Sequence, residues 1–228
     1  MFAALSRRPT PLAARPAQRI SRARSAPFAS ASVPSSDSGT MAAKKCCKEI
    51  REILKAPPRH WVGNGFHVFP VFHNRAFTKE LSPWLMFDYA APKEFSPSYE
   101  RRGVGQHPHR GFETITIAFN GEVEHGDSMG NRDVIGPGDV QWMTAGRGVI
   151  HSEMPEKTDG KVRGFQLWLN LPKKLKMIEP SYNDIPSGEI PSIELENGKV
   201  KIISGKFNGI KGPGMPHTGM LYLDVDLN

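Results

Sequence analysis

Cysteine is nearly missing from this chain: 228 residues hold two, Cys46 and Cys47, side by side. Neighbouring cysteines rarely bridge to each other and no third thiol is available. No disulfide framework is possible, which points to a reducing or redox-indifferent compartment. Long apolar runs are also missing; none approaches the roughly 20 residues that cross a bilayer, so no membrane partner is expected. There is no Ser-His-Asp arrangement, no glycine-rich phosphate loop and no nucleotide fingerprint. A charge excess is missing too, once its location is considered. The formal net charge is +7, but residues 1–36 carry six Arg and no Asp, Glu or Lys. The remainder holds 24 basic against 23 acidic residues, so nothing electrostatic argues for direct nucleic-acid contact.

What is present is glycine (22) and proline (20), which favour many short strands joined by tight turns. Hydrophobic residues make up 38% and charged residues 23%, ordinary values for a globular protein. Residues 1–40 are rich in Ala, Arg, Ser and Pro, the composition of an organelle transit peptide, mitochondrial or plastid. A disordered basic tail, or initiation at Met41 with a cytoplasmic or nuclear protein, are the alternatives. Residues 41–60 read as a linker with a short helix over 48–56, stopped by Pro57-Pro58.

Beyond it the apolar pattern turns to period two or short runs. Strands are expected at Phe66–Phe72, Leu85–Tyr89, Thr114–Phe119, Val140–Thr144, Val149–Glu153, Phe165–Leu171 and Val200–Phe207. Turn signals such as Asn120-Gly121, Gly136-Pro137-Gly138 and Ala145-Gly146-Arg147-Gly148 separate them. The fold class is all-β, a sandwich or barrel. The basic stretch Pro172–Lys176 reads as a solvated helix face. Phe165, Leu167 and Leu169 share a strand face as core residues, and Trp142 and Trp168 are core residues by default.

Two short constellations carry chemistry. In His107-Pro108-His109 the two imidazoles sit at i and i+2, on one face of a strand and about 7 Å apart along it. Pro108 cannot donate to a sheet ladder, so this segment belongs at a sheet margin or loop entry. His151-Ser152-Glu153 repeats the spacing just beyond a glycine-rich turn. If both pairs face one interior, they offer three nitrogens and a carboxylate oxygen to one divalent ion, with coordination positions left open. A closed structural site would more often use cysteine. The intervening forty residues, a strand, a hairpin and another strand, are enough to carry the chain around a barrel.

The run His107–Thr114 resembles the first metal motif of the pirin family, and Gly136–Glu153 resembles the second. Gly121–His125 and Gln166–Pro172 match as well. The resemblance begins near Trp61 and runs to the C-terminus. It implies a cupin jelly-roll β-barrel over residues 61–185, with residues 186–228 a linker and only the start of a second barrel. The tail Leu221–Asn228 reads as one strand without an obvious partner. The resemblance places the metal ligands at His107, His109, His151 and Glu153, and favours iron, Fe(II), on family grounds alone. Glu113, where other cupins put a glutamate ligand, is assigned a supporting or structural place. His125 is taken as a polar strand residue, and His60, His67, His73 and His217 receive no role.

Two functions follow from the resemblance. One is a flavonol dioxygenase that opens quercetin-like substrates with molecular oxygen, Glu153 taking the substrate's hydroxyl proton as the catalytic base. The other is an iron-dependent regulatory or binding protein, a transcription co-regulator or signalling partner acting through protein contacts without turnover.

Overall fold

The computed structural model of the protein describes residues 50, 52, 53, 55, 57–73, 79–96, 99–155 and 160–228. Two units separate along the chain, Met1–Ile50 and Arg51–Asn228, and every assigned strand belongs to the second. The basic leader, both cysteines and most of the helix expected over 48–56 lie outside the described residues; residues 50, 52, 53 and 55 are not helical. Among the described residues no helix is long and apolar enough to cross a membrane.

The all-β expectation holds. The first strands are β1 (His60–Val62), β2 (Phe66–Phe72), β3 (Trp84–Glu94), β4 (Val104–His109) and β5 (Phe112–Asn120). Then come β6 (Val123–Asp127), β7 (Arg132–Ile135), β8 (Val140–Thr144), β9 (Val149–Pro155), β10 (Lys161–Asn170) and β11 (Ser181–Ile185). They form a seven-stranded sheet, β1-β2-β3-β10-β5-β8-β11, and a four-stranded sheet, β4-β9-β6-β7. Pro108 lies on β4, at the edge of the smaller sheet, where its missing N–H leaves no interior ladder bond unmade.

Period-two alternation divides the large sheet into two unlike faces. One carries Ile115, Ile117, Val140, Trp142, Leu167 and Leu169, all buried in one apolar cluster. The other carries a polar rung that crosses five strands in register, Asp88 opposite Gln166, Gln166 opposite Thr116, Thr116 opposite Gln141, and Gln141 opposite Asp184. This polar face looks toward the four-stranded sheet: Gln166 on β10 donates to Glu153 on β9, and His125 on β6 stacks on Tyr182 of β11.

The apolar face is covered by the C-terminal residues. Here β12 (Ser192–Leu195), β13 (Gly198–Ser204) and β16 (Tyr222–Leu227) form a three-stranded sheet, and β14 (Lys206–Phe207) pairs with β15 (Ile210–Lys211). Ile190 and Ile203 join the apolar cluster, and Met220 and Tyr222 pack against it. The terminal strand does have a partner, contrary to the expectation from sequence: β16 runs antiparallel to β13, with Val225 opposite Val200. A partner 25 residues upstream leaves no local pattern to read. The basic stretch differs as well. Lys173–Leu175 form a single 3-10 turn, and Lys176 donates to the Gly111 carbonyl at 2.8 Å and to Asn170 Oδ1 at 2.6 Å. That cation is bonded to the loop after His109, so it does not belong to a solvated helix face.

Candidate metal centre

The turn Ala145–Gly148 joins the two motif segments. Gly111 N–H, two residues beyond His109, donates to the Gly146 carbonyl at 2.8 Å, and Ala145 N–H donates to the Phe112 carbonyl at 2.9 Å. From there β9 runs antiparallel beside β4, with His107 opposite His151. Adjacent strands in this register set side chains of one face side by side. His107, His109 and His151 therefore converge, and their ligand atoms lie within 4.8 Å of one another. His107 Nε2 is 3.1 Å from His109 Nε2 and 3.0 Å from His151 Nε2.

The donor chemistry of these rings fits a cation. His107 Nδ1 lies 2.8 Å from the Gly105 carbonyl. A carbonyl only accepts, so Nδ1 carries the proton and Nε2 presents its lone pair to the cluster. Burial, then the His107 ring, holds His109 down at about 4. Burial and the neighbouring imidazoles of His109, His107 and His125 push His151 lower still, against the pull of Asp127. His109 and His151 are therefore uncharged at neutral pH, the form that binds metals. Lone pairs facing one another at this distance repel unless something positive lies between them. Two nitrogens each about 2.1 Å from one ion and at right angles to each other would stand about 3.0 Å apart, which is the spacing seen. The three histidines are thus a group that could hold a metal ion.

Glu153 shares the buried side of β9 with His151 but is not a member of that cluster. Its Oε1 accepts from Gln166 Nε2 at 2.7 Å. Burial raises its carboxyl above the usual range, against the Gln166 hydrogen bond and the nearby His107 and His125. It also lines a cleft of about 520 Å³, part of it open to solvent, that lies between the sheets. The walls are mainly apolar, with Val62, Phe66, Val68, Ala90 and Val123 among them, while Asp88, Arg163 and Gln166 add polar groups.

Glu113 is fully buried on the opposite, apolar side of its sheet. It accepts from Thr144 Oγ1 at 2.8 Å, from Trp142 Nε1 at 3.2 Å and from the His217 backbone N–H at 3.3 Å. Of the two places left open by the sequence, supporting or structural, these hydrogen bonds give it the structural one. The two tryptophans part company: Trp142 belongs to the apolar cluster, whereas Trp168 stands edge-on to His109 with ring centroids 5.0 Å apart.

His125, taken from the sequence as a polar strand residue, is one on β6, but it also backs the histidine cluster. Its ring is fully buried, its Nδ1 lies 3.4 Å from His151 Nδ1 and its Nε2 lies 3.2 Å from Asp127 Oδ2. Burial would raise Asp127, but hydrogen bonds from Asn131, His125 and Met129 hold it below the usual carboxylate range. With Asp127 accepting from Nε2–H, His125 Nδ1 is left to accept from His151 Nδ1–H. That arrangement turns the His151 Nε2 lone pair toward the cluster. The signal was available, since His125-Gly126-Asp127 has the same i, i+2 spacing as the two recognised pairs.

Residues 65–169 match the family model described as Pirin. A protein of Pseudomonas aeruginosa, provisionally named a quercetin 2,3-dioxygenase, is 45% identical over 186 residues, covering 79% of this chain and 65% of that protein. Pirin-like protein 2 of Arabidopsis thaliana is 46% identical over 154 residues, covering 68% and 46% of the respective chains. Among solved structures, quercetin 2,3-dioxygenase from Acinetobacter baumannii superposes with a TM-score of 0.72 at 43% identity, covering 75% of this chain and 61% of that one. The chain thus spans only 65% and 46% of the lengths of these two curated relatives.

Proposed function

The chain belongs to the pirin family of the cupin superfamily, and on that premise we propose that it is a metal-dependent dioxygenase of flavonol-type substrates. The observation that carries this reading is the double position of Glu153. It follows His151 by two residues on one strand face, and it also lines the apolar cleft. A planar aromatic substrate in that cleft meets a carboxylate beside the three histidines. The relatives named as quercetin dioxygenases support the choice of substrate.

His107, His109 and His151 would hold the metal, with iron the proposed ion and Glu153 the proposed fourth ligand. When bound, the ion supplies Lewis acidity and open positions where a hydroxy-ketone and molecular oxygen are brought together. The protein's own part is positional and electrostatic. Gln166 holds one carboxylate oxygen of Glu153, and the residue lines the cleft. The elevated basicity that burial confers on Glu153 suits it to take the proton of a substrate hydroxyl. The apolar walls bury the aromatic rings and limit the access of water.

The test is oxygen uptake and carbon monoxide release from quercetin by protein whose iron content has been measured. Wild-type protein should turn over, and His107→Ala should fall to background. Uptake no greater than that of His107→Ala, at verified metal occupancy of the wild type, counts against the reading and leaves the regulatory function in its place.

A further inference from the structure

We propose that Asp88 is the acceptor by which the cleft recognises its ligand, and that it selects aromatic compounds carrying a free hydroxyl besides the one beside Glu153. The proposal rests on the reading of this cleft as the substrate site.

Asp88 is 7% exposed on β3. Its Oδ1 is buried and has no hydrogen-bond partner among the described residues. Buried carboxylates are nearly always paired or hydrogen-bonded, because the lost hydration is otherwise uncompensated. This one lines the cleft. It stands directly opposite Gln166 in the sheet register, beside the residue that holds Glu153. Burial pushes its carboxyl above the usual range, and His60 and His73 counter this only through space.

Asp88 is thus an idle acceptor in a cleft whose walls are mainly apolar. A phenolic hydroxyl answers it, because it donates through hydrogen. An unsubstituted aryl edge leaves that buried carboxylate unmet. A site built around such a group discriminates steeply against the analogue that lacks it.

The test compares quercetin with 3-hydroxyflavone, which keeps only the hydroxyl next to the carbonyl. Binding is titrated by tryptophan fluorescence on protein of measured metal content. The proteins are wild type, Asp88→Ala and the near-isosteric Asp88→Asn. Wild type should bind quercetin at least about tenfold more tightly than 3-hydroxyflavone, the worth of a hydrogen bond to a charged group. In Asp88→Ala this ratio should shrink to about threefold or less, while affinity for 3-hydroxyflavone stays nearly constant. Asp88→Asn keeps the shape, and its weaker acceptor should give an intermediate ratio; it carries the test should the alanine variant fail to fold. An equal ratio in wild type and variants overturns the role of Asp88 and leaves the dioxygenase reading intact. A ratio that depends on Asp88 without oxygen uptake supports this inference and overturns the dioxygenase reading. Binding of neither compound to wild type overturns both.

Discussion

At the scale of the residue, the direction of one imidazole proton decides whether three histidines can share an ion. His107 has its proton drawn to the Gly105 carbonyl. His151 has its Nδ1 proton drawn toward His125, which is itself bonded to Asp127. Replacing His125 by Phe keeps a ring over Tyr182 but removes the acceptor. His151 is then free to adopt the other tautomer or to rotate. The expected result is a loss of metal affinity of about 10- to 100-fold with folding retained, read by chelator competition alongside circular dichroism. Unchanged affinity would show that His151 needs no partner.

At the scale of the element, the turn between β8 and β9 sets the register of both metal motifs. Gly146 sits there with φ +50, and a Cβ at this position would lie 2.2 Å from the Ile178 carbonyl oxygen. That contact is with backbone, so a side chain cannot relieve it by changing rotamer. The same stretch holds Arg147 N–H to Ile178 and the Gly146 carbonyl to Gly111. Gly146→Ala should therefore lower stability by about 2–4 kcal/mol. Because the turn must shift, metal occupancy should fall along with it. Urea unfolding and elemental analysis of the same preparation check both; a stable variant with full occupancy would mean the turn yields cheaply.

At the scale of the whole molecule, the seven-stranded sheet separates a polar chamber from an apolar core, and Glu113 ties the core to its C-terminal cover through His217 N–H. Burial raises the Glu113 carboxyl above its ordinary 4.5, outweighing the hydrogen bonds from Thr144, Trp142 and His217 that lower it. Over the interval above that value the native protein holds a proton which the unfolded chain has released. Stability from this group is thus fully present at lower pH and declines as pH rises through its folded pKa. Glu113→Gln does not titrate, and its amide N–H₂ meets the donor of His217. Its unfolding free energy should be lower overall, with a shallower decline as the pH rises above about 4.5. Denaturant titrations across that range test this, and parallel curves for the two proteins would contradict it. Asp88 and Asp184, also raised, are present in both proteins and cancel from the difference.

What the chain determines by itself is local. Val140–Thr144 and Phe66–Phe72 coincide with β8 and β2, because turn residues bound each apolar run on both sides. The i, i+2 histidines could be read because a strand's two-residue period needs no knowledge of its neighbours. The strands β7 and β11 escaped that reading, since a half-polar strand at a sheet edge shows no apolar alternation. The tertiary structure alone decides which strand stands across from which. That pairing puts Gln166 on Glu153, His125 behind His151 and β13 beside β16. It also makes Leu167 a core residue and its neighbour Trp168 part of the metal chamber. Covalent geometry alternates side chains along a strand, but only long-range packing determines what each face meets.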